Sequence, residues 1–298
     1  MAYLICPFPE GEPISDLYTV YLEGKKIPCY TARVSAVPFN RPWPGKERSI
    51  EQTELAAFVI LQSDSAVELT IHPSRPFNEV TVRPLSAKIS PRISDHTIHL
   101  TVKPGQYSLE LDGRHCNLQI FVDPPAAYEQ KADTLYFGPG VHDIDHLILH
   151  TDQTVFVDAG AVVYARTIRA YDAENIRIVG GGVIDFSRYH RTVEDVFVEE
   201  DSGSVSFMRC KNILVDGVTL RDATWWTMTA INCTDVLYNN VKVIGMWRYN
   251  ADGLDFVNST NVTITNCFVR SFDDSIVLKG LNKRKNGECL ERYDYMNV

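Results

Sequence analysis

Lys211-Asn-Ile-Leu-Val-Asp-Gly-Val-Thr-Leu220 decides the fold, because the same pattern recurs along the second half of the chain. Glu174-Asn-Ile-Arg-Ile-Val-Gly-Gly-Gly-Val-Ile-Asp185, Thr234-Asp-Val-Leu-Tyr-Asn-Asn-Val-Lys-Val243 and Thr260-Asn-Val-Thr-Ile-Thr-Asn-Cys-Phe-Val269 align with it. Their second residues, Asn175, Asn212, Asp235 and Asn261, are 37, 23 and 26 positions apart. The first interval is long because of an insertion around Arg188 to Ser202. A period of about 20 to 30 residues, with short β-branched strands and no helical periodicity, predicts a parallel β-helix. Each rung buries Ile, Val or Leu on the next, so one rung alone has no core. The aligned Asn and Asp suit a corner, since both tolerate left-handed backbone and hydrogen-bond locally. Cys210 and Cys233 fall at equivalent repeat positions and read as small buried apolar residues.

Upstream the texture differs. Leu17–Leu22, Ala56–Leu61, Val67–Ile71, Glu79–Val82, Thr97–Val102, Tyr107–Leu111 and Leu118–Val122 read as short strands, several with apolar and polar residues alternating. They predict a β-sandwich, with Lys103-Pro-Gly-Gln106 as a turn. Pro124-Pro125 cannot donate to a sheet ladder and marks the expected boundary. The fold class is therefore all-β: a sandwich over residues 1–125, then a parallel β-helix over 126–298.

A net charge of −9 without clustered Lys or Arg excludes a nucleic-acid partner, and no stretch has the ~18 uncharged apolar residues of a membrane span. The N-terminus shows no basic and apolar leader, and seven cysteines without a CxxC pair suit reduced thiols. Both lead to the expectation of a cytoplasmic protein, although a secreted chain shorn of its leader reads the same way. His142, His146 and His150 have the spacing of a helical metal face, but Leu-Ile-Leu between them reads as strand, which spreads them about 13 Å per four residues. Gly180-Gly-Gly182 has no following helix and reads as a tight turn, not a phosphate cradle. No metal ligand set and no cofactor is assigned.

Chemistry concentrates between Asn250 and Gly280. Aligning Asp252-Gly-Leu-Asp-Phe256 with Asp274-Ser-Ile-Val-Leu278 sets Leu254 over Ile276 and Phe256 over Leu278, a register of 22 residues, or one rung. Neighbouring rungs lie about 4.8 Å apart. Asp252 and Asp274 are thus expected nearly one above the other, with Asp273 beside them. Like charges that close raise at least one pKa, as a general acid requires. Two carboxyls about 6.5 to 9.5 Å apart invert at a glycosidic centre and about 5 Å apart retain, and the sequence alone leaves both open. Turn-forming acids and a calcium site are the competing readings.

Asn250-Ala-Asp-Gly-Leu-Asp-Phe256 followed by Asp273-Asp-Ser-Ile-Val-Leu-Lys279 resembles the Asn-Thr-Asp-Gly and Asp-Asp motifs of glycoside hydrolase family 28, the polygalacturonase and rhamnogalacturonase family. Phe137-Gly-Pro-Gly-Val-His142 and Val157-Asp-Ala-Gly-Ala-Val-Val163 resemble that family's first rungs. The resemblance covers roughly residues 134 to 298. It implies a right-handed helix and inverting hydrolysis of a pectin-type or related oligo- or polysaccharide, with Asp273 as acid and Asp252 and Asp274 on the water. Trp225 and Trp226 are candidate sugar platforms, one expected inward and one outward. Asn250, Trp247, Arg248, Arg270 and Lys279 are the other candidate substrate-binding residues. The family's later Gly-His-Gly and Arg-Ile-Lys motifs are not found, and Tyr293-Asp-Tyr-Met-Asn-Val298 reads like the start of another rung, so the helix is expected to lack its last rungs here. A polysaccharide lyase on the same fold and a non-catalytic carbohydrate-binding solenoid are the alternatives.

Overall fold

The computed structural model describes residues 3–37, 49–125, 133–189 and 203–280, and the backbone of an antiparallel hairpin, Lys283–Lys285 with Glu288–Glu291. The expected further rung at 293–298, and most of the insertion after Arg188, lie outside the described residues.

Two sheets form the N-terminal part. One runs Tyr3–Ile5, Thr53–Ser63, Leu118–Asp123, Gly105–Leu111, Val80–Arg83, with Tyr30–Ser35 also on Thr53–Ser63; the other runs Lys25–Ile27, Tyr18–Leu22, Val67–Pro73, Thr97–Val102, Arg92–Ser94. Val20, Leu22, Leu69, Ile71, Ile98 and Leu100 of the second sheet pack against Val59, Leu61, Leu109, Leu118 and Ile120 of the first. That is a sandwich core. The Lys103–Gln106 turn carries the chain from one sheet to the other, since Thr97–Val102 and Gly105–Leu111 belong to different sheets.

From Thr134 the chain winds six rungs with parallel pairing throughout. The first face stacks Thr134–Phe137, Thr154–Val157, Glu174–Gly180, Lys211–Asp216, Thr234–Asn239 and Thr260–Thr265. The long strands Gly140–Leu149 and Ala161–Tyr171 open the other two faces, which then separate. Val183–Asp185, Thr219–Arg221, Lys242–Ile244 and Phe268–Val269 make the second face; Val205–Met208, Met228–Ile231, Leu254–Val257 and Ile276–Lys279 make the third. One continuous core of Ile, Val, Leu, Phe and Cys fills the coil, Cys210 and Cys233 included. In the sixth rung Ile276 and Leu278 keep the inward register over Leu254 and Phe256, yet they are 52% and 51% exposed.

Corner chemistry explains the repeat. Asn175, Asn212, Asp235 and Asn261 have φ of 58°, 56°, 60° and 53°, the left-handed region that Asn and Asp tolerate. Their side chains hydrogen-bond between rungs: Asn212 Nδ2 donates to Asn175 Oδ1 at 2.6 Å, and Asn261 Nδ2 to Asp235 Oδ1 at 3.0 Å. The glycine run is a second corner, because a Cβ on Gly180 would lie 2.0 Å from the Val157 carbonyl oxygen. His142, His146 and their neighbours lie on a strand, His142 Nε2 against the Gly138 carbonyl oxygen at 2.7 Å and His146 Nδ1 against Thr167 Oγ1 at 2.7 Å. Among the described residues no helix is long and apolar enough to cross a membrane.

The sandwich docks on the second face of the coil. Thr53–Ser63 and Leu118–Asp123 pair in parallel and are buried on both faces, which is why Ala56–Leu61 reads as an unbroken apolar run. Tyr30, Phe58, Ile60 and Phe121 turn away from the sandwich core and pack on Val162, Tyr164, Val183 and Ile244. Two buried ion pairs cross the same interface. Arg221 meets Glu12 at 2.6 Å and also Asp185, while Lys242 Nζ meets Asp123 Oδ2 at 2.7 Å.

Candidate active site

The corner between the second and third faces gathers the acids. Rung four passes it at residues 222–227, rung five at 245–253 and rung six at 270–275. Gly253 N–H donates to the Asp274 carbonyl oxygen at 2.8 Å, and Asp273 N–H to the Ala251 carbonyl oxygen at 3.2 Å. The 22-residue register is observed, with Leu254 opposite Ile276 and Phe256 opposite Leu278. Asp252, Asp273 and Asp274 therefore meet at one corner of adjacent rungs, but their side chains face different environments. Asp252 is 3% exposed, Asp273 is half-buried and Asp274 stands in solvent. The absence of a side chain at Gly253 permits this contact, because a Cβ there would lie 2.3 Å from the Ser275 carbonyl oxygen.

A fourth carboxyl, Asp255, completes the cluster. Leu254 and Phe256 point into the coil, so strand alternation sends Asp255 outward, yet it is fully buried. Lys279 covers it: Nζ lies 2.6 Å from Asp255 Oδ1 and 3.1 Å from Asp252 Oδ2. The same ammonium sits 3.6 Å from the centre of the Trp226 ring. Burial and then the Asp255 charge push the Asp252 carboxyl up to about 8. Burial raises Asp255 to about 6, against the pull of Lys279 and a hydrogen bond with Asp252. Burial draws the Lys279 ammonium down, and its two carboxylate partners more than offset this. Asp273 is raised by burial and then by Asp274. The alternation in Leu254-Asp255-Phe256 signals an outward acid; that Lys279 would cover it has no local signal.

The remaining candidates divide. Trp225 is buried and Trp226 half-buried, the latter under Lys279. Asn250, half-buried with φ 57°, turns the backbone just ahead of Asp252. Lys279, a candidate substrate-binding residue, contacts two protein carboxyls, those of Asp252 and Asp255. Arg248, expected in the groove, donates to the Tyr189 and Ser187 carbonyl oxygens at 3.0 and 3.3 Å and sits 3.5 Å from Asp222. It ties the turn after Asp185 to rung five. Trp247 Nε1 donates to Asp222 Oδ1 at 2.8 Å. Asp222 was not expected; burial raises it to about 6 although Arg248 opposes this. Arg270, also expected in the groove, turns to the sandwich, donating to Asn117 Oδ1 at 2.6 Å beside Glu54. Arg270 directly follows the second-face strand Phe268–Val269, and that face is the one the sandwich covers.

A cleft of about 790 Å³ lies elsewhere, between the sandwich and the first face. It is lined in part by Gln106, Asp123, Arg177, Asp216, Asn239 and Asn240, and includes none of the corner acids. Asn239 bonds Asp216 between adjacent rungs, and Asn240 bonds both Asp123 and Gln106 across the domain contact. Among the described residues no three His, Cys, Asp or Glu side chains are placed to hold a metal ion.

Fold and corner together define a parallel β-helix that carries a carboxyl cluster at the mouth of one face. The model of the family described as "Glycosyl hydrolases family 28" matches residues 141–289, half of the chain, and the chain belongs to that family. It is 27% identical over 82 residues to "Putative galacturan 1,4-alpha-galacturonidase C" of Aspergillus niger, an alignment covering 24% of this chain and 19% of that protein. Dex49A from Penicillium minioluteum shares the fold with a TM-score of 0.68 at 18% identity, over 92% of this chain and 66% of that one. The Family 28 exopolygalacturonase of Yersinia enterocolitica aligns at 15% identity with a TM-score of 0.43, over 74% of this chain and 63% of that one. The chain thus spans less than two thirds of the length of each of these relatives.

Proposed function

We propose that the protein hydrolyses glycosidic bonds of a pectin-type or related oligo- or polysaccharide with inversion. The observation that carries this reading is the backbone contact of Ala251–Gly253 with Asp273–Asp274, which gathers three acids of unlike environment at one corner. An inverting cleavage needs one acid to protonate the leaving oxygen and one base to take a proton from water on the opposite face of the sugar. Asp273, half-buried and raised, suits the acid. Asp252 and Asp274, on adjacent rungs beside it, hold and deprotonate the water that attacks the anomeric carbon. Proton and leaving group then depart from opposite faces.

Membership of the glycosyl hydrolase family supports hydrolysis over elimination, and the galacturonidase name of one relative supports a galacturonate-containing substrate. The test is chromatography of products from a panel of pectic and neutral glycans incubated with the wild type and with Asp273→Asn. The wild type is expected to release reducing ends, and the variant, at unchanged thermal midpoint, to lose them by about 10²-fold or more. Products absorbing in the ultraviolet would identify a lyase. Full activity in Asp273→Asn would remove the assignment.

A further inference from the structure

Asp252 and Asp255 are three residues apart on one strand entrance, and Lys279 takes one oxygen from each. The other two oxygens, Asp252 Oδ1 and Asp255 Oδ2, are buried without a donor from any other residue. Two ionised carboxylates are acceptors only. Side by side and out of water they are satisfied only if one of them carries a hydrogen, and the contact between them then becomes a hydrogen bond. One proton and one ammonium together balance the two carboxylates, so the unit as a whole is neutral and bears its burial without a net charge.

We propose that Asp255 is a positioning residue for Asp252: the two carboxyls share one proton through the oxygens that Lys279 leaves free, and Lys279 fixes the other oxygen of each. Its positioning role rests on the hydrolase reading; the shared proton does not. Asp252 is held in one rotamer with its charge metered by its neighbours, and it becomes a base when the shared proton is lost. Trp226, Thr227 and Thr229 face the unit from the rung before and bring no ionisable group; Asp273, Asp274 and Lys279 face it from the rung after. Tyr238, buried in the coil, lies within reach of the Asp255 charge.

The two partners act on Asp252 with opposite sign, and that separates positioning from mere packing. Asp255→Asn removes a negative neighbour, so Asp252 ionises at lower pH. Lys279→Met removes a positive one, so Asp252 ionises at higher pH. The experiment is carboxyl-carbon NMR titration of the full chain, labelled at aspartate, from pH 4 to 10, in wild type, Asp255→Asn, Lys279→Met and Lys279→Arg. Shifts of one pH unit or more, downward and upward respectively, are expected for the first two variants, with Lys279→Arg close to wild type. On polygalacturonate, or whichever glycan of the panel is turned over, the acid limb of kcat/KM is expected to move the same way. Lys279→Met then loses about ten-fold per unit on that limb. An Asp252 that titrates near 4 in the wild type overturns the proposal, as do shifts of one sign in both variants. If Lys279→Met does not fold, wild type, Lys279→Arg and Asp255→Asn decide it. If no glycan is turned over the hydrolase reading fails, while the titration still decides the shared proton.

Discussion

At the scale of single residues, the corner depends on what is absent at Gly253. Any side chain there meets the Ser275 carbonyl oxygen and Val269. Gly253→Ala is expected to destabilise by about 1–3 kcal/mol, as overpacking does, and to separate Asp252 from Asp274. Chemical denaturation and turnover on the same preparation check both effects, and a variant of wild-type stability would remove the steric account. The charge at Asp252 has its own signature. Its carboxyl is raised by burial to about 8, above the ~3.9 of an unfolded aspartate, so the folded state holds the proton more tightly. Its contribution to stability is fully present below pH ~4 and is lost as pH rises through about 8. Calorimetry between pH 5 and pH 9 is expected to show a smaller fall in thermal midpoint for Asp252→Asn than for the wild type.

At the scale of elements, the rungs were legible because their signals are local. The Asn175, Asn212, Asp235, Asn261 series marks a corner that demands left-handed backbone, and Leu254 over Ile276 follows from apolar alternation alone. The three motif acids were legible for the same reason. What escaped depends on a neighbour distant in sequence. Lys242, between Val241 and Val243, reads as an ordinary outward lysine, but the sandwich lands on it and it is fully buried against Asp123 and the Gly217 carbonyl oxygen. Asp255 is hidden by Lys279, Arg270 is taken by Asn117, and Tyr3–Ile5, Lys25–Ile27 and Arg92–Ser94 are strands of three residues, too short to announce themselves, whereas the alternation in Tyr30-Thr-Ala-Arg-Val-Ser35 is a strand signal that was missed. The Lys242 pair gives a prediction. Asp123→Ala leaves a buried ammonium without its counter-charge and is expected to cost about 3–5 kcal/mol in denaturant unfolding, with the double variant Asp123→Leu, Lys242→Met recovering most of it. A single variant costing under about 1 kcal/mol would mean that the pair is solvated.

At the scale of the whole molecule, the sandwich and the coil share a layer. Thr53–Ser63 and Leu118–Asp123 serve the sandwich core with one face and the coil with the other, so neither part can lose its partner without exposing Phe58, Phe121, Val162 and Ile244. A single calorimetric transition is expected, and Phe58→Ala, costing about 3–5 kcal/mol, should lower its midpoint without splitting it. Two separate transitions would show that the shared layer couples nothing. The corner that carries the acids has one more property. Val183–Asp185 and Val205–Met208, the second-face and third-face strands of rung three, both keep register with rung four, Val183 with Thr219 and Val205 with Met228. Gly203 returns against Trp226, and Arg248 anchors the outgoing turn through Ser187 and Tyr189. Both described ends of the stretch between these strands are thus clamped by the rung beneath and by Arg248, so the parallel ladder there is a fixed frame whose register does not depend on the length of chain that joins its two strands.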